Sequence, residues 1–439
     1  MMAEPDRSTF RNYLIFWAGQ LASLAGTNVV NFSLTWWITV QTGSAFFLGL
    51  SAFFAFGSFI LITPIAGVLV DRWSRKKVIV VADSLLALLS LILVVMFFFG
   101  LASIIVVLII QLIGGMIGAF HAMAVQAIMP IMVPRDHLSR MNSLQYFATS
   151  LIQTIGPVIG ALVFTFFLGD MARIMLIDIG TYIAAIIPTI LIVIPIIIKK
   201  AVEKPSLRKE FGEGLSFIRN RPGLLTLLSM FTMANFLLPG VFVLLPLYST
   251  FVLAGGDTVI AVILLAGLMS IQSLSMMIAS GIMMVWKGFK RNTLGVVLGL
   301  LFGAVGLIVL ALTPPGLFWI ASAGMFLIGF TLPVANISSQ TIWQKVTPPE
   351  KIGRVFSVRT TIAQFTGPFA FLAGGILGTI YPIPLVFLVF GRAMVIVLAL
   401  GWTFTSLPHV EEDLEENEVT KEREQELESN QEATSSTDE

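Results

Sequence analysis

Between residues 13 and 407 the chain alternates long apolar stretches with short polar gaps, and twelve of the stretches are long enough to cross a bilayer. Crossing takes about 20 apolar residues in a helix. The pattern predicts spans at about 12–39, 46–70, 77–99, 103–129, 141–168 and 172–198, then 223–252, 259–286, 292–313, 317–344, 355–380 and 384–407. Backbone groups in lipid must be satisfied within the segment, so the spans are helices. The gaps near 71–77, 135–140, 199–221, 287–291 and 345–359 hold nearly all the Lys and Arg, whereas those near 40–45, 99–103, 254–258, 313–317 and 380–384 hold none. Short cytoplasmic loops retain positive charge. An even number of spans with both termini in the cytoplasm is the topology that fits.

Composition narrows the class. The chain is 56% hydrophobic and 12% charged, with mean hydropathy +0.93, more apolar surface than a soluble fold of 439 residues could bury. An all-α integral membrane protein is expected, with no room for a folded soluble domain. The net charge of +1 conceals an acidic end, because 13 of the 25 acidic residues follow Pro408. No nucleic-acid partner is implied. There is no Cys, hence no disulfide framework or thiolate metal site, and nothing calls for a metal or cofactor. The first 12 residues are polar and lead straight into a full-length span. That span is expected to serve as its own insertion signal.

The spans fall into two copies of six. A shift of 214 residues lays Gly67 on Gly281, Gly115 on Gly329, Gln126 on Gln340, Pro134 on Pro348, Asp136 on Glu350, Arg140 on Arg354 and Ser143 on Ser357. One offset serves loops and helices alike, which marks a duplication. Two pseudo-symmetric six-helix halves about a central site is a transporter plan. The expected organisation is an N-terminal half (1–198), a cytoplasmic linker (199–222), a C-terminal half (223–408) and an acidic, mostly disordered tail (409–439). Leu207, Phe211, Leu215 and Ile218 recur at helical spacing in the linker, which predicts a short amphipathic helix on the cytoplasmic surface.

One loop carries a specific motif. Gly67-Val68-Leu69-Val70-Asp71-Arg72-Trp73-Ser74-Arg75-Lys76-Lys77 joins spans 2 and 3. It resembles the signature of the major facilitator superfamily, G-x-L-x-D-R-x-x-R-K-K. Gly67 would let another helix approach closely. Asp71 could accept charge-assisted hydrogen bonds from Arg or from a helix start. Arg72, Arg75 and Lys76 hold the loop in the cytoplasm, and Asp83 is expected to partner that basic cluster. Together these would form a latch that closes the cytoplasmic side. The second copy keeps Gly281, Lys290 and Arg291 but has no Asp.

Further segments resemble the drug:proton antiporter branch that includes bacterial macrolide-efflux proteins, although siderophore exporters share several of them. They are Phe16-Trp17-Ala18-Gly19-Gln20 with Ser23 and Gly26, Thr42-Gly43-Ser44, and Pro134 to Ser143. Many relatives place Asp after the glycine of span 1; here Gly26 is followed by Thr27 and Asn28, so no acidic proton site is expected there. Gly156-Pro157-Val158-Ile159-Gly160 in span 5 resembles an exporter-associated G-P-x-x-G element, and Gly367-Pro368 recurs in span 11. Ordinary close helix packing is an equal reading of both.

Ionisable groups inside spans are costly and scarce. Asp178 in span 6 and His121 in span 4 are the proton-coupling candidates. Against that role, Asp178 could pair with Arg173, and His121 could be a hydrogen-bonded packing residue. Arg392 in span 12 has no evident partner. Asn28, Asn31, Trp36, Gln126, Asn235, Gln272, Asn336 and Gln340 are candidates to line an apolar, adaptable cavity suited to bulky amphiphiles. Phosphorylated metabolites would need inward Arg or Lys. No H-E-x-x-H, no acids paired across neighbouring spans and no G-x-x-x-x-G-K-[ST] argue for an enzyme or an ATPase.

The expected function is a secondary active transporter working by alternating access, most simply proton-coupled efflux of hydrophobic or amphiphilic drugs. The alternative is export or uptake of an endogenous siderophore, lipid or sugar. Expected partners are a small hydrophobic substrate, protons and the bilayer of the cell membrane. A monomer is expected.

Overall fold

A computed structural model describes residues 7–70, 72–193, 207–286, 288–348 and 351–411. Asp71, Glu350, the loop before Leu207 and the acidic tail beyond Glu411 lie outside the described residues. Every described element is a helix. The spans are Arg7–Thr42 (span 1), Ala45–Val70 (2), Arg75–Phe98 (3), Ile104–Met132 (4), Arg135–Phe166 (5) and Met171–Leu191 (6). After the linker helix, Leu207–Arg219, come Pro222–Phe242 (7, continued to Leu253), Thr258–Val285 (8), Asn292–Leu312 (9), Phe318–Val346 (10), Ile352–Ile380 (11) and Ile383–Thr403 (12). Eleven of these are apolar enough to cross a membrane on composition alone. Span 1 falls short because Gln20, Asn28 and Asn31 lie within its apolar stretch.

The duplication reappears as contacts. A Cβ on Gly115 of span 4 would lie 2.3 Å from Ala55 O and 2.1 Å from Ser58 Oγ of span 2. Its counterpart Gly329 in span 10 meets Gln272 O and Ser275 of span 8 at 2.3 and 2.6 Å. Trp17 of span 1 donates to Gln145 of span 5. The residues at the same offset, Phe231 and Arg359, stand in cation–π contact. Residues 214 apart therefore share partners, even where the residue type has changed.

Polar exceptions locate each helix face. The linker helix docks on the start of span 11, where Glu213 pairs with Arg354 and Ile218 is fully buried. Phe211 and Leu215 stay exposed. At the far end, Glu411 caps the start of span 9: it accepts from Asn292 N at 3.1 Å, Asn292 Nδ2 at 2.7 Å, Thr293 N at 3.0 Å and Thr293 Oγ1 at 3.2 Å. The two backbone N–H groups are donors a helix start leaves unpaired.

Candidate functional site

The two halves meet mainly where span 2 packs on span 11 and span 5 on span 8, with a smaller contact between span 1 and the end of span 7, and they meet unevenly. Spans 2 and 11 cross at glycines near their uncharged ends. A Cβ on Gly49 would lie 2.6 Å from Phe371 O, and one on Gly375 would lie 2.7 Å from Ala45 O. Phe53 and Phe56 pack on Phe369 and Phe371 at ring distances of 5.9 and 5.7 Å. Spans 5 and 8 touch at mid-depth, where Ser270 Oγ donates to Thr154 O at 2.9 Å. At the basic ends the same helices part: Tyr146 and Phe147 on span 5 and Met284 and Val285 on span 8 are largely exposed. Gly67 and Gly281 have nothing within 4 Å of a Cβ. The close approach expected at Gly67 is thus not made in this conformation. The cleft between the halves opens toward the basic face.

The span 5 motif packs within its own half, and the span 11 motif serves the crossing between the halves. Gly156 and Gly160 face Asn28 and Phe32 of span 1 at 3.2 and 2.8 Å, with Pro157 between them. Gly367 and Pro368 face Phe56 and Gly57 of span 2, beside a break in span 11 at Thr366.

Inside the N-terminal half runs a polar seam that tertiary packing assembles. Gln20 Nε2 donates to Asp83 Oδ2 at 3.2 Å. His121 Nε2 lies 3.0 Å from Gln20 Oε1 and 3.0 Å from Asp83 Oδ1. One N–H cannot serve both acceptors fully, so the Asp83 contact is largely electrostatic. The Asp83 side chain is fully buried, while that of His121 is 23% exposed. Seven residues along spans 1 and 3 a second layer forms. Asp178 accepts from Ser90 Oγ at 2.6 Å and Thr27 Oγ1 at 3.1 Å, and Tyr182 lies 3.3 Å from Thr27. The position after Gly26 therefore lacks an acid of its own but touches one supplied by span 6.

Several expectations are corrected here. Asp83 does not partner Arg75–Lys77; it lies two turns from Lys76, which instead donates to Ile190 O at 2.7 Å and Ile192 O at 2.6 Å. Those are carbonyls a helix end leaves open. Asp178 does not pair with Arg173, which faces another side of span 6 and binds Asp170 at 3.0 Å. Two in-span acids do sit on packed neighbours, because spans 3 and 6 are joined through Ser90 and Asp178. Trp36 does not line the cleft: with Val29 and Ser33 it forms a buried stripe of span 1 and is 1% exposed. In the gate motif Arg72 is exposed and Trp73 stacks on Phe120 at 6.2 Å.

The remaining cavity candidates divide between the halves. Asn31 and Gln126 are exposed, and Asn28 is half-buried and donates to Leu24 O. Asn235, Gln272 and Asn336 come together around an enclosed pocket of about 120 Å³ in the C-terminal half. Gln340 lies one turn further toward the basic end and bonds Arg359, which the sequence reading missed. A larger groove of about 880 Å³ lies outside the bundle, between the linker helix and Lys351, remote from the seam.

A family profile described as Major Facilitator Superfamily matches residues 16–371. The chain belongs to that superfamily. It is 24% identical over 362 residues to Macrolide efflux protein A of Streptococcus pyogenes, covering 82% of this chain and 87% of that one. It is 25% identical over 328 residues to Macrolide efflux protein A of Enterococcus faecalis, covering 74% and 99%. Among solved structures it resembles a mutant of the nucleoside transporter NupG (TM-score 0.70, 12% identity, 89% of this chain and 99% of that). It also resembles a bacterial homologue of the iron transporter ferroportin in an inward-facing state (TM-score 0.63, 15% identity, 90% and 99%). The chain is thus a multi-pass membrane transporter with the twelve-helix, two-half fold, similar to macrolide-efflux proteins and not an enzyme.

Proposed function

We propose that this chain exports hydrophobic or amphiphilic small molecules, macrolides among them, in exchange for protons. It sits in the cytoplasmic membrane with its basic loops and both termini inside. The observation that carries the alternating-access reading is the asymmetry of the inter-half seam. Spans 2 and 11 are glycine-tight at one end, while Gly67 and Gly281 stand clear at the other. A rocking of residues 1–198 against 223–408 would fill the space at Gly67 and Gly281 and part the Gly49–Gly375 crossing. Such two-state packing is how small shifts become a gate. In sequence Asp71 follows Val70 at the end of span 2 that would close, and the latch role assigned to it is part of this reading.

The Gln20–Asp83–His121 cluster supports the coupling. Its two titratable groups have no Lys or Arg partner among the described residues, and the His121 side chain is 23% exposed. A carboxylate without a basic partner is costly inside a bilayer, and an imidazole can accept or donate a proton at its ring nitrogens. Asp83 and His121 would hold the exchanged proton between them. Gln20 fixes their geometry.

The test is transport into inside-out proteoliposomes loaded with a pH-sensitive dye. Addition of a macrolide should release protons from the lumen of wild-type vesicles. Asp83→Asn and His121→Gln should remove the proton signal while binding persists. Macrolide movement that ignores an imposed pH gradient would overturn the coupling, and macrolide exclusion with movement of a sugar would overturn the substrate class.

A further inference from the structure

Arg359 stands seven residues into span 11, against Phe231, which lines the 120 Å³ pocket. Its guanidinium lies over the rings of Phe231, Trp343 and Phe356 at 5.9, 5.5 and 5.6 Å. Nη1 donates to Gln340 Oε1 and Nη2 to Ser339 Oγ, both at 3.3 Å. No carboxylate among the described residues pairs with it. Two long bonds leave most of the five guanidinium donors unused.

A half-buried cation without a counter-ion, set among aromatic rings, needs compensation. Ring quadrupoles and two neutral acceptors supply part of it. An anion in the cleft would supply the rest by charge-assisted, forked hydrogen bonds. Phe231 is shared between the guanidinium and the pocket wall. One ligand could therefore place an apolar ring against Leu238, Leu300 and Ile328 and an acidic group on Arg359. The pocket is below the size of whole drug-sized sites, roughly 300–1,000 Å³, so it takes a ring or a chain end and not a complete substrate.

We infer that Arg359 is a binding residue for the acidic group of amphiphilic anions, and that the transporter favours carboxylate- or sulfonate-bearing amphiphiles over their uncharged analogues. This deepens the exporter reading and rests on it for the word substrate. The duplicated half supplies an internal control. The counterpart of Arg359 is Gln145, which bonds Trp17 where Arg359 faces Phe231. The framework thus accommodates glutamine at this position.

The experiment uses the full chain in lipid nanodiscs, titrated with anilinonaphthalene sulfonate and with phenylnaphthylamine, the same rings without the sulfonate. Arg359→Gln should weaken the sulfonate about tenfold, the scale of one charge-assisted hydrogen bond, and leave the neutral dye within about twofold. Arg359→Lys, which keeps the charge and loses the fork, should fall between. Equal weakening of both dyes, or none, would overturn the inference. Everted vesicles separate it from the exporter reading. Lost charge preference with both dyes still transported removes only this inference. A preference that persists when wild-type vesicles move neither dye removes only export.

Discussion

Replacing Gly375 by alanine probes the seam that sets the observed conformation. The new methyl would lie 2.7 Å from Ala45 O, 2.9 Å from Gly49 Cα and 3.2 Å from Gly49 N, all backbone atoms that no rotamer change can clear. Spans 2 and 11 would have to separate by about 0.7 Å to restore an ordinary contact of 3.4 Å. Overpacking of this kind costs about 1–3 kcal/mol, and the cost falls only on the state in which the crossing is closed. The higher helix propensity of alanine acts on both states alike. The equilibrium should therefore move toward the opposite state by about 5- to 150-fold. The chain has no cysteine, so spin labels at Tyr146→Cys and Met284→Cys report only the mouth at the basic face. These positions are 76% and 82% exposed, one on each half. Gly375→Ala should enrich short inter-label distances at the expense of long ones. Gly67→Ala, where the methyl meets open space, should keep the long distances and slow transport, because its clash arises only on closure. An unchanged distribution in folded Gly375→Ala protein would refute the claim that this crossing holds the state.

Three further outcomes follow from single contacts. Asp178→Asn should leave proton coupling intact while Asp83→Asn removes it, because Asp178 is buried and bonded by Thr27 and Ser90, whereas the Asp83 cluster has an outlet in the 23%-exposed His121; equal loss in a pH-jump assay would move the proton site to span 6. Glu411→Ala deletes the four bonds at the start of span 9, which at about 1–2 kcal/mol for a helix cap should lower the thermal midpoint in detergent; an unchanged midpoint would make the cap incidental. Arg392→Leu should raise that midpoint, since Arg392 shares an exposed stripe with Leu385, Val389, Ile396 and Leu400 and a charge at mid-span costs about 3 kcal/mol; a fall would reveal an acidic partner helix in the membrane.

What the sequence made legible is what the bilayer enforces. Span length, loop charge and the 214-residue offset are one-dimensional properties, and the spans and the repeated contacts of Gly115 and Gly329 followed from them. Side-chain partners were less legible, because they depend on helix rotation and on which neighbour arrives. Asp83 looked nearest to Lys76 along the chain, yet a helix end drew the lysine away and span 4 brought His121. Trp36 reads as cavity-lining because aromatic side chains suit an apolar, adaptable site, whereas its stripe with Val29 and Ser33 is buried in packing. The paired heptads Gln20–Thr27 and Asp83–Ser90 were the available signal for the seam. They describe two polar layers on two helices, but not that span 6 completes the second one.

The duplication also shows how the halves diverged. Gln20, Asp83 and His121 fall on Ala234, Val297 and Ala335 when shifted by 214 residues. Ala234 and Ala335 line the 120 Å³ pocket. Where one half fills its interior with titratable side chains, the other has small residues and a void, with Arg359 over Phe231 of its wall. If the proton is held in the first half and the substrate in the second, they do not compete for the same atoms. Coupling between them then passes only through the equilibrium between open and closed mouths, since two ligands that share no group influence each other through the states they prefer. In a protein held with its basic face open, for instance by a cross-link across the Gly49–Gly375 crossing, substrate affinity should not change between acid and neutral pH. In the unrestrained protein it should. A pH-dependent affinity that survives the cross-link would mean that proton and substrate meet directly, and the division between the halves would have to be abandoned.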